Sequence, residues 1–186
     1  MINYGLPISC QIRGKEYPIN ADFRAVLDII TALNDDNLTD QERSYIALFI
    51  FLRGDLPPDR EGLEQAAAEL MCFLAAGTPE SGNDNAPVLV NWEKDFPLIL
   101  PAINRAQGQE IRALPFFHWY SFVAAYMEIG ECLFSTVIGI RDKKARHQKL
   151  EKYEMDFVKR NPQYFRAPAS KLDYDLTEAI RRGDFG

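Results

Sequence analysis

Residues 6–35, LPISCQIRGKEYPINADFRAVLDIITALND, change hydrophobic period half-way along, and that change decides the fold. Ile8, Cys10 and Ile12 alternate with other residues, Gly14-Lys15 supplies a turn, and Tyr17 and Ile19 resume the alternation. Successive side chains of a strand point to opposite faces, so this spacing predicts a β-hairpin over about residues 6–19. From Phe23 the apolar positions become Phe23, Val26, Leu27, Ile30 and Leu33, which line one side of an amphipathic helix. Asn20 or Asp22 stands where a helix cap belongs, and the polar run Asn34-Asp35-Asp36-Asn37 ends the stripe. No other segment reads convincingly as β.

Helical spacing continues through the rest of the chain. Thr39-Asp40-Gln41-Glu42 has the form of a capping box, in which the Thr39 hydroxyl and the Glu42 carboxylate satisfy each other's free backbone N–H groups. The helix it opens is apolar nearly all round from Tyr45 to Leu52 and is expected to be central. Prolines at 57 and 58 break the chain, and Leu63, Ala67, Leu70, Met71 and Leu74 resume the period. Residues 77–88 form a long polar loop. Trp92, Phe96, Ile99, Leu100 and Ile103 define a further helix in which Pro97 and Pro101 imply a late start or a kink. Pro115 suits a first-turn proline, opening a helix whose Trp119, Phe122, Val123, Tyr126 and Met127 face inward. A short apolar helix over 131–138 and a basic helix over 140–160 follow. The expected fold is mainly α: an N-terminal β-hairpin and about six or seven helices around one core. They make a single domain over 1–160, with 161–186 as a loosely held tail.

Charge and cysteines narrow the function classes. The formal net charge of -6 and a pI near 5.0 make the average surface repel a phosphate backbone, which argues against free nucleic acid as partner. Residues 141–160 nevertheless hold eight Lys/Arg against four Asp/Glu, an asymmetry able to orient contacts between copies or with a partner. Three widely spaced cysteines, with no paired motif and no signal-like start, fit a reducing cytoplasm. The longest apolar run, residues 45–52, is far below the ~20 residues needed to span a bilayer.

The search for chemistry centres on His118, within LPFFHWYSF at 114–122. A histidine titrates near neutrality and could act with a carboxylate such as Asp95. No nucleophile elbow accompanies it, and a boundary histidine whose ring nitrogens meet backbone groups is the better reading. On that reading His118 orients the packing of two helices, with Trp119 and Phe122 buried beside it. His147, Glu151 and Glu154 would share one face of the basic helix, but two histidines are few for a metal cluster. No phosphate-binding loop occurs, and Arg53-Gly54-Asp55 reads as a helix end and turn. Catalytic residues, metal and cofactor are therefore all expected to be absent, and no small-molecule substrate is implied. If any aromatics of the 114–122 block are exposed, Trp119, Tyr120 and Phe122 are the candidates to meet a partner.

Three stretches together, YPINADFRAVLDIITALND (17–35), VNWEKDFPLILPAINRAQGQEI (90–111) and LPFFHWYSFVAAYMEIGECLFSTVIGIRDKK (114–144), resemble the bacteriophage gp-fifteen family of tailed phages and prophages. Ala21-Asp22-Phe23-Arg24 corresponds to its helix-start motif, and Asn91-Trp92-Glu93-Lys94-Asp95 to a second block, with Asn-Trp for Asp-Phe. His118, Trp119 and Phe122 keep the spacing of a third block, which carries Tyr120 for a second tryptophan and ends near Arg141. The resemblance covers about residues 6–160. It implies a small helical protein of the host cytoplasm, encoded near the tape-measure gene and without catalytic residues. Such a protein would act as a tail-assembly chaperone that binds the tape-measure protein or other tail proteins; the charge split between residues 141–160 and the acidic remainder adds the expectation of weak, salt-sensitive self-association. A structural tail-completion or connector component of the virion is the alternative.

Overall fold

The structure is a computed structural model that describes residues 5–76, 87 and 89–165. Among them, a two-stranded antiparallel hairpin precedes seven α-helices and two short 3-10 turns. The mainly helical fold expected from the sequence is thus the one observed.

Strands β1 (Ser9–Ile12) and β2 (Lys15–Pro18) pair Ser9 with Pro18 and Ile12 with Lys15. The turn lies one residue earlier than the glycine suggests: Arg13 and Gly14 both have positive φ, 51° and 77°. Two such residues give a hairpin turn whose twist matches that of the strands. Arg13 tolerates this geometry while tied to residues beyond the hairpin. Its N–H donates to Gln65 Oε1 at 2.8 Å, and its guanidinium meets Asp59 and Glu61 at 3.0 and 2.7 Å.

The helices are α1 (Phe23–Leu33), α2 (Asp40–Phe51), α3 (Arg60–Leu74), α4 (Trp92–Gln107), α5 (Trp119–Met127), α6 (Leu133–Ala145) and α7 (Lys152–Arg160). Their starts follow local chemistry. Asp22, Thr39, Asp59 and Asn91 each accept a backbone N–H from the first turn of the helix they precede. At Thr39 the reciprocal box with Glu42 is complete. Each cap of this kind stabilises by about 1 kcal/mol.

The described residues fall into two compact units, where one core was expected. One lies within Met1–Glu80 together with Phe116–Val123, the other within Ser81–Pro115 together with Ala124–Lys171. In the first, Ile12, Tyr17 and Ile19 of the hairpin segment, Phe23, Val26 and Ile30 of α1, Leu48 and Phe51 of α2, and Leu70 and Phe73 of α3 are buried, as are Trp119 and Phe122. In the second, Ile99, Leu100 and Ile103 of α4, Ile111, Phe134, Val137 and Ile140 fill the interior.

Several expectations need correction. Helix α2 is not buried all round: Tyr45 and Phe49 are 48% and 47% exposed, and their rings stack at 5.8 Å on its outer side. Pro115 does not open a helix. Residues 116–118 are not helical and α5 begins only at Trp119, because this segment bridges to residues 21–23. Helix α4 does not start late; it runs through Pro97 and Pro101, both exposed, at the cost of the helical hydrogen bonds their missing N–H groups would have made. The expected break near Gly139 lies instead between α6 and α7, where His147 adopts φ 55°. His147 therefore does not share a helical face with Glu151 and Glu154. The polar loop at 77–88 lies, apart from residue 87, outside the described residues, as do residues 166–186 of the expected tail. Residues 162–164 of that tail form a 3-10 turn.

Candidate functional site

Two polar clusters gather most of the motif residues, one in each unit. The first is built on Asp22. Its Oδ1 accepts the Arg24 N–H at 3.0 Å, capping α1, and also Arg24 Nε at 2.7 Å. Its Oδ2 accepts Arg24 Nη2 at 2.8 Å and the N–H of Phe117, 95 residues away, at 3.0 Å. Burial acts to raise the Asp22 carboxyl, but the Arg24 side chain and the N–H groups of Phe117 and Arg24 outweigh it and hold it below the ordinary value. Three further contacts close a short antiparallel bridge between Asp22 and His118. Phe23 N–H donates to Phe117 O at 3.0 Å, Trp119 N–H to Ala21 O at 2.8 Å, and Phe117 packs edge-on against Phe23.

His118, only 3% exposed, completes this cluster. Nδ1 accepts the Tyr120 N–H at 3.0 Å, so the proton sits on Nε2 and donates to Pro7 O at 2.9 Å. One ring thus caps α5 and fastens the chain ahead of β1. Beside it, Trp119 Nε1 donates to Leu74 O at 3.1 Å, at the end of α3, and the Phe122 ring lies parallel to Phe23 at 4.9 Å. Trp119 and Phe122 are 3% and 0% exposed, so neither offers a surface to a partner. Within this block Phe116 is 47% exposed and Tyr120 partly accessible.

The second cluster joins α4 to α6. Asp95, 2% exposed, forms a bidentate pair with Arg141: Nη1 to Oδ2 at 2.6 Å and Nη2 to Oδ1 at 2.9 Å. The remaining guanidinium donors reach Leu89 O at 2.8 Å and Tyr164 O at 2.6 and 3.1 Å. All five N–H groups of Arg141 are used, the condition under which a buried ion pair is tolerable. Asp95 Oδ2 also accepts the Asn91 N–H at 2.9 Å. Trp92 leans on Tyr126 at 5.1 Å, and the Tyr126 hydroxyl is pushed up by its burial and by the charge of Asp95. Tyr164 ties the first residues after Asn161 to this cluster, so residues 162–164 are held and not loose.

Spacing gave no sign of several of these partners. The carbonyls of Pro7, Leu74, Leu89 and Tyr164 carry no side-chain signature. Buried Glu154, paired with Lys143 at 2.6 Å, could have been suspected from the Glu151-x-x-Glu154 capping box, which the structure forms. The polar atoms of Asp22, His118, Asp95 and Arg141 are committed to backbone groups, to the Arg24 side chain and to each other. Among the described residues no buried side-chain nitrogen or oxygen lacks a partner, no three His, Cys, Asp or Glu side chains gather as a metal site, and no helix is long and apolar enough to cross a membrane.

The family model described as Bacteriophage Gp15 protein matches residues 2–166. The chain belongs to this family. The match reaches beyond Asn161 and takes in the Tyr164 carbonyl that Arg141 holds, so both clusters lie wholly inside the Gp15 region. No curated protein and no solved structure matches the chain.

Proposed function

We propose that this Gp15-family chain is a non-catalytic binding protein of phage tail morphogenesis, a tail-assembly chaperone. It holds the tape-measure protein in the host cytoplasm until tail-tube subunits polymerise around it. The observation that supports this reading is the fate of the motif residues. Asp22, His118, Asp95 and Arg141 spend donors and acceptors on joining segments distant in the chain, with Arg24 clamped on Asp22, which leaves them to hold a surface in place. The link to the tape-measure protein comes from the resemblance of the three sequence blocks. A long helical protein with an apolar face is prone to aggregate, and a helical binder would cover that face. Within the 114–122 block, Phe116 is exposed and Phe117 and Tyr120 are partly so; Phe116 and Tyr120 take the role first given to Trp119 and Phe122. Neither nucleic acid nor a membrane, small molecule or cofactor enters this reading.

Co-expression with the tape-measure protein encoded nearby tests it. The expected result is a soluble, co-purifying tape-measure protein, lost with Phe116→Ser/Tyr120→Ser in a chain that still unfolds cooperatively. An insoluble tape-measure protein, with this chain found in purified particles by mass spectrometry, would assign it to the virion as a structural component.

A further inference from the structure

Two surfaces of opposite charge each carry exposed aromatic groups. The first lies at the start of α2. Asp35, Asp36, Asp40 and Glu42 bring four carboxylates to residues 35–42, and Arg43, which reaches Asp36 at 3.6 Å and Asp40 at 3.9 Å, offsets them only in part. The Asp36 side chain is fully exposed, and one turn beyond Glu42 stand Tyr45 and Phe49, stacked and about half exposed. The second is the turn between α6 and α7 with the start of α7. Residues 142–154 hold Lys143, Lys144, Arg146, Lys149 and Lys152 against Asp142, Glu151 and Glu154, with Lys143 paired to Glu154 and Arg146 to Asp142. Lys149 and Lys152 are exposed and form no ion pair among the described residues. Tyr153, the next residue, is 68% exposed, the most accessible of the large hydrophobic side chains described.

We infer that these surfaces bind each other between copies, the acidic α2 entry of one chain receiving the basic α6–α7 turn of another. The contact pairs two different surfaces of the chain, so it either closes reciprocally in a symmetric dimer or continues from copy to copy. A second copy is favoured over another partner because both halves of one complementary pair, charge and aromatic alike, are present on the same chain. Opposite charges steer and orient the encounter, and Tyr45, Phe49 and Tyr153 supply the area that water leaves. Such a contact between exposed groups is weak and screened by salt.

Sedimentation velocity of the purified chain alone, over a concentration series at low and high salt, tests this independently of any tape-measure protein. Concentration-dependent association is expected, with a dissociation constant weakened by about tenfold or more at high salt. Lys149→Glu/Lys152→Glu and Asp36→Lys/Phe49→Lys are each expected to stay monomeric. Mixed together they should associate, since each then retains one native surface facing a charge-compatible one. A chain that is monomeric at every concentration in low salt, association that salt leaves unchanged, or single variants that still self-associate would overturn the inference. Far-UV circular dichroism of each variant separates lost contact from lost fold.

Discussion

Asp95 and Arg141 stand 46 residues apart in sequence, yet share two hydrogen bonds of 2.6 and 2.9 Å with scarcely any solvent access. Arg141 also holds Leu89 O and Tyr164 O, so a single guanidinium joins the chain before α4, α4 itself and the turn after α7. Removing one partner strands the other charge in the interior. Arg141→Met and Asp95→Leu are each expected to cost about 3–5 kcal/mol in chemical denaturation. Arg141→Lys should not rescue, because an ammonium has three donors where five are in use. The double variant is expected to remain less stable than the wild type, since the Leu89 and Tyr164 carbonyls stay unpaired. A double variant matching the wild type would show that these carbonyl contacts contribute nothing.

Asp22 makes stability depend on pH in a defined direction. Its folded carboxyl lies below the ordinary value of 3.8, so the folded state favours the ionised form. That contribution is fully present above the unfolded value and is lost as pH falls from about 4 through the folded value. Asp22→Asn keeps the shape and one acceptor but removes the charge. The variant is expected to be less stable at pH 7 and to lose less of its stability between pH 5 and 2. Parallel wild-type and variant curves over that range would mean that the Asp22 carboxylate gains nothing from Arg24 and Phe117.

What the sequence disclosed was local. The hairpin, the Asp22 cap, the Thr39–Glu42 box and the stripe on α1 each rest on residues within a few positions of one another, and each is found. Where a tertiary contact competes with a local signal, the local signal loses. Pro115 is a good helix opener, but the Asp22–His118 bridge keeps residues 116–118 out of the helix and moves its start to Trp119. The turn between α6 and α7 contains neither Gly nor Pro; it depends on His147 in a left-handed conformation that spacing cannot announce. The resemblance singled out Asp95 and Arg141 but not their pairing, because no pattern within either block specifies a partner in the other.

Two glycines should respond in opposite ways to the same substitution. Gly139 lies on the exposed side of α6 with no atom within 4 Å of a built Cβ and no positive φ. Gly139→Ala is expected to stabilise by about 0.5–1 kcal/mol, through helix propensity. Gly62 in the first turn of α3 is buried, and a Cβ there would come within 2.6 Å of Pro57 Cβ. Gly62→Ala should destabilise despite the same gain in propensity, because the neighbour is a ring and cannot swing aside. Thermal unfolding of the two variants side by side reads the difference, and equal shifts would show that the Pro57 contact has room to relax.

His118 acts through both ring nitrogens at once, and that predicts how its variants rank. His118→Ala removes the donor to Pro7 O and the acceptor for the Tyr120 N–H, leaving two buried backbone groups unpaired beside a cavity. Each unpaired group costs about 1–3 kcal/mol, so this variant should be among the least stable single substitutions in the first unit. His118→Gln carries both a donor and an acceptor and is expected to recover part of the loss. Hydrogen exchange locates the effect: the Tyr120 amide should lose protection in His118→Ala and regain some in His118→Gln. In wild type, nitrogen chemical shifts should report a neutral ring with its proton on Nε2, because a proton on Nδ1 would point at the Tyr120 N–H. A ring protonated on Nδ1 at neutral pH would contradict the capping role and return His118 to consideration as a group that exchanges protons with a ligand.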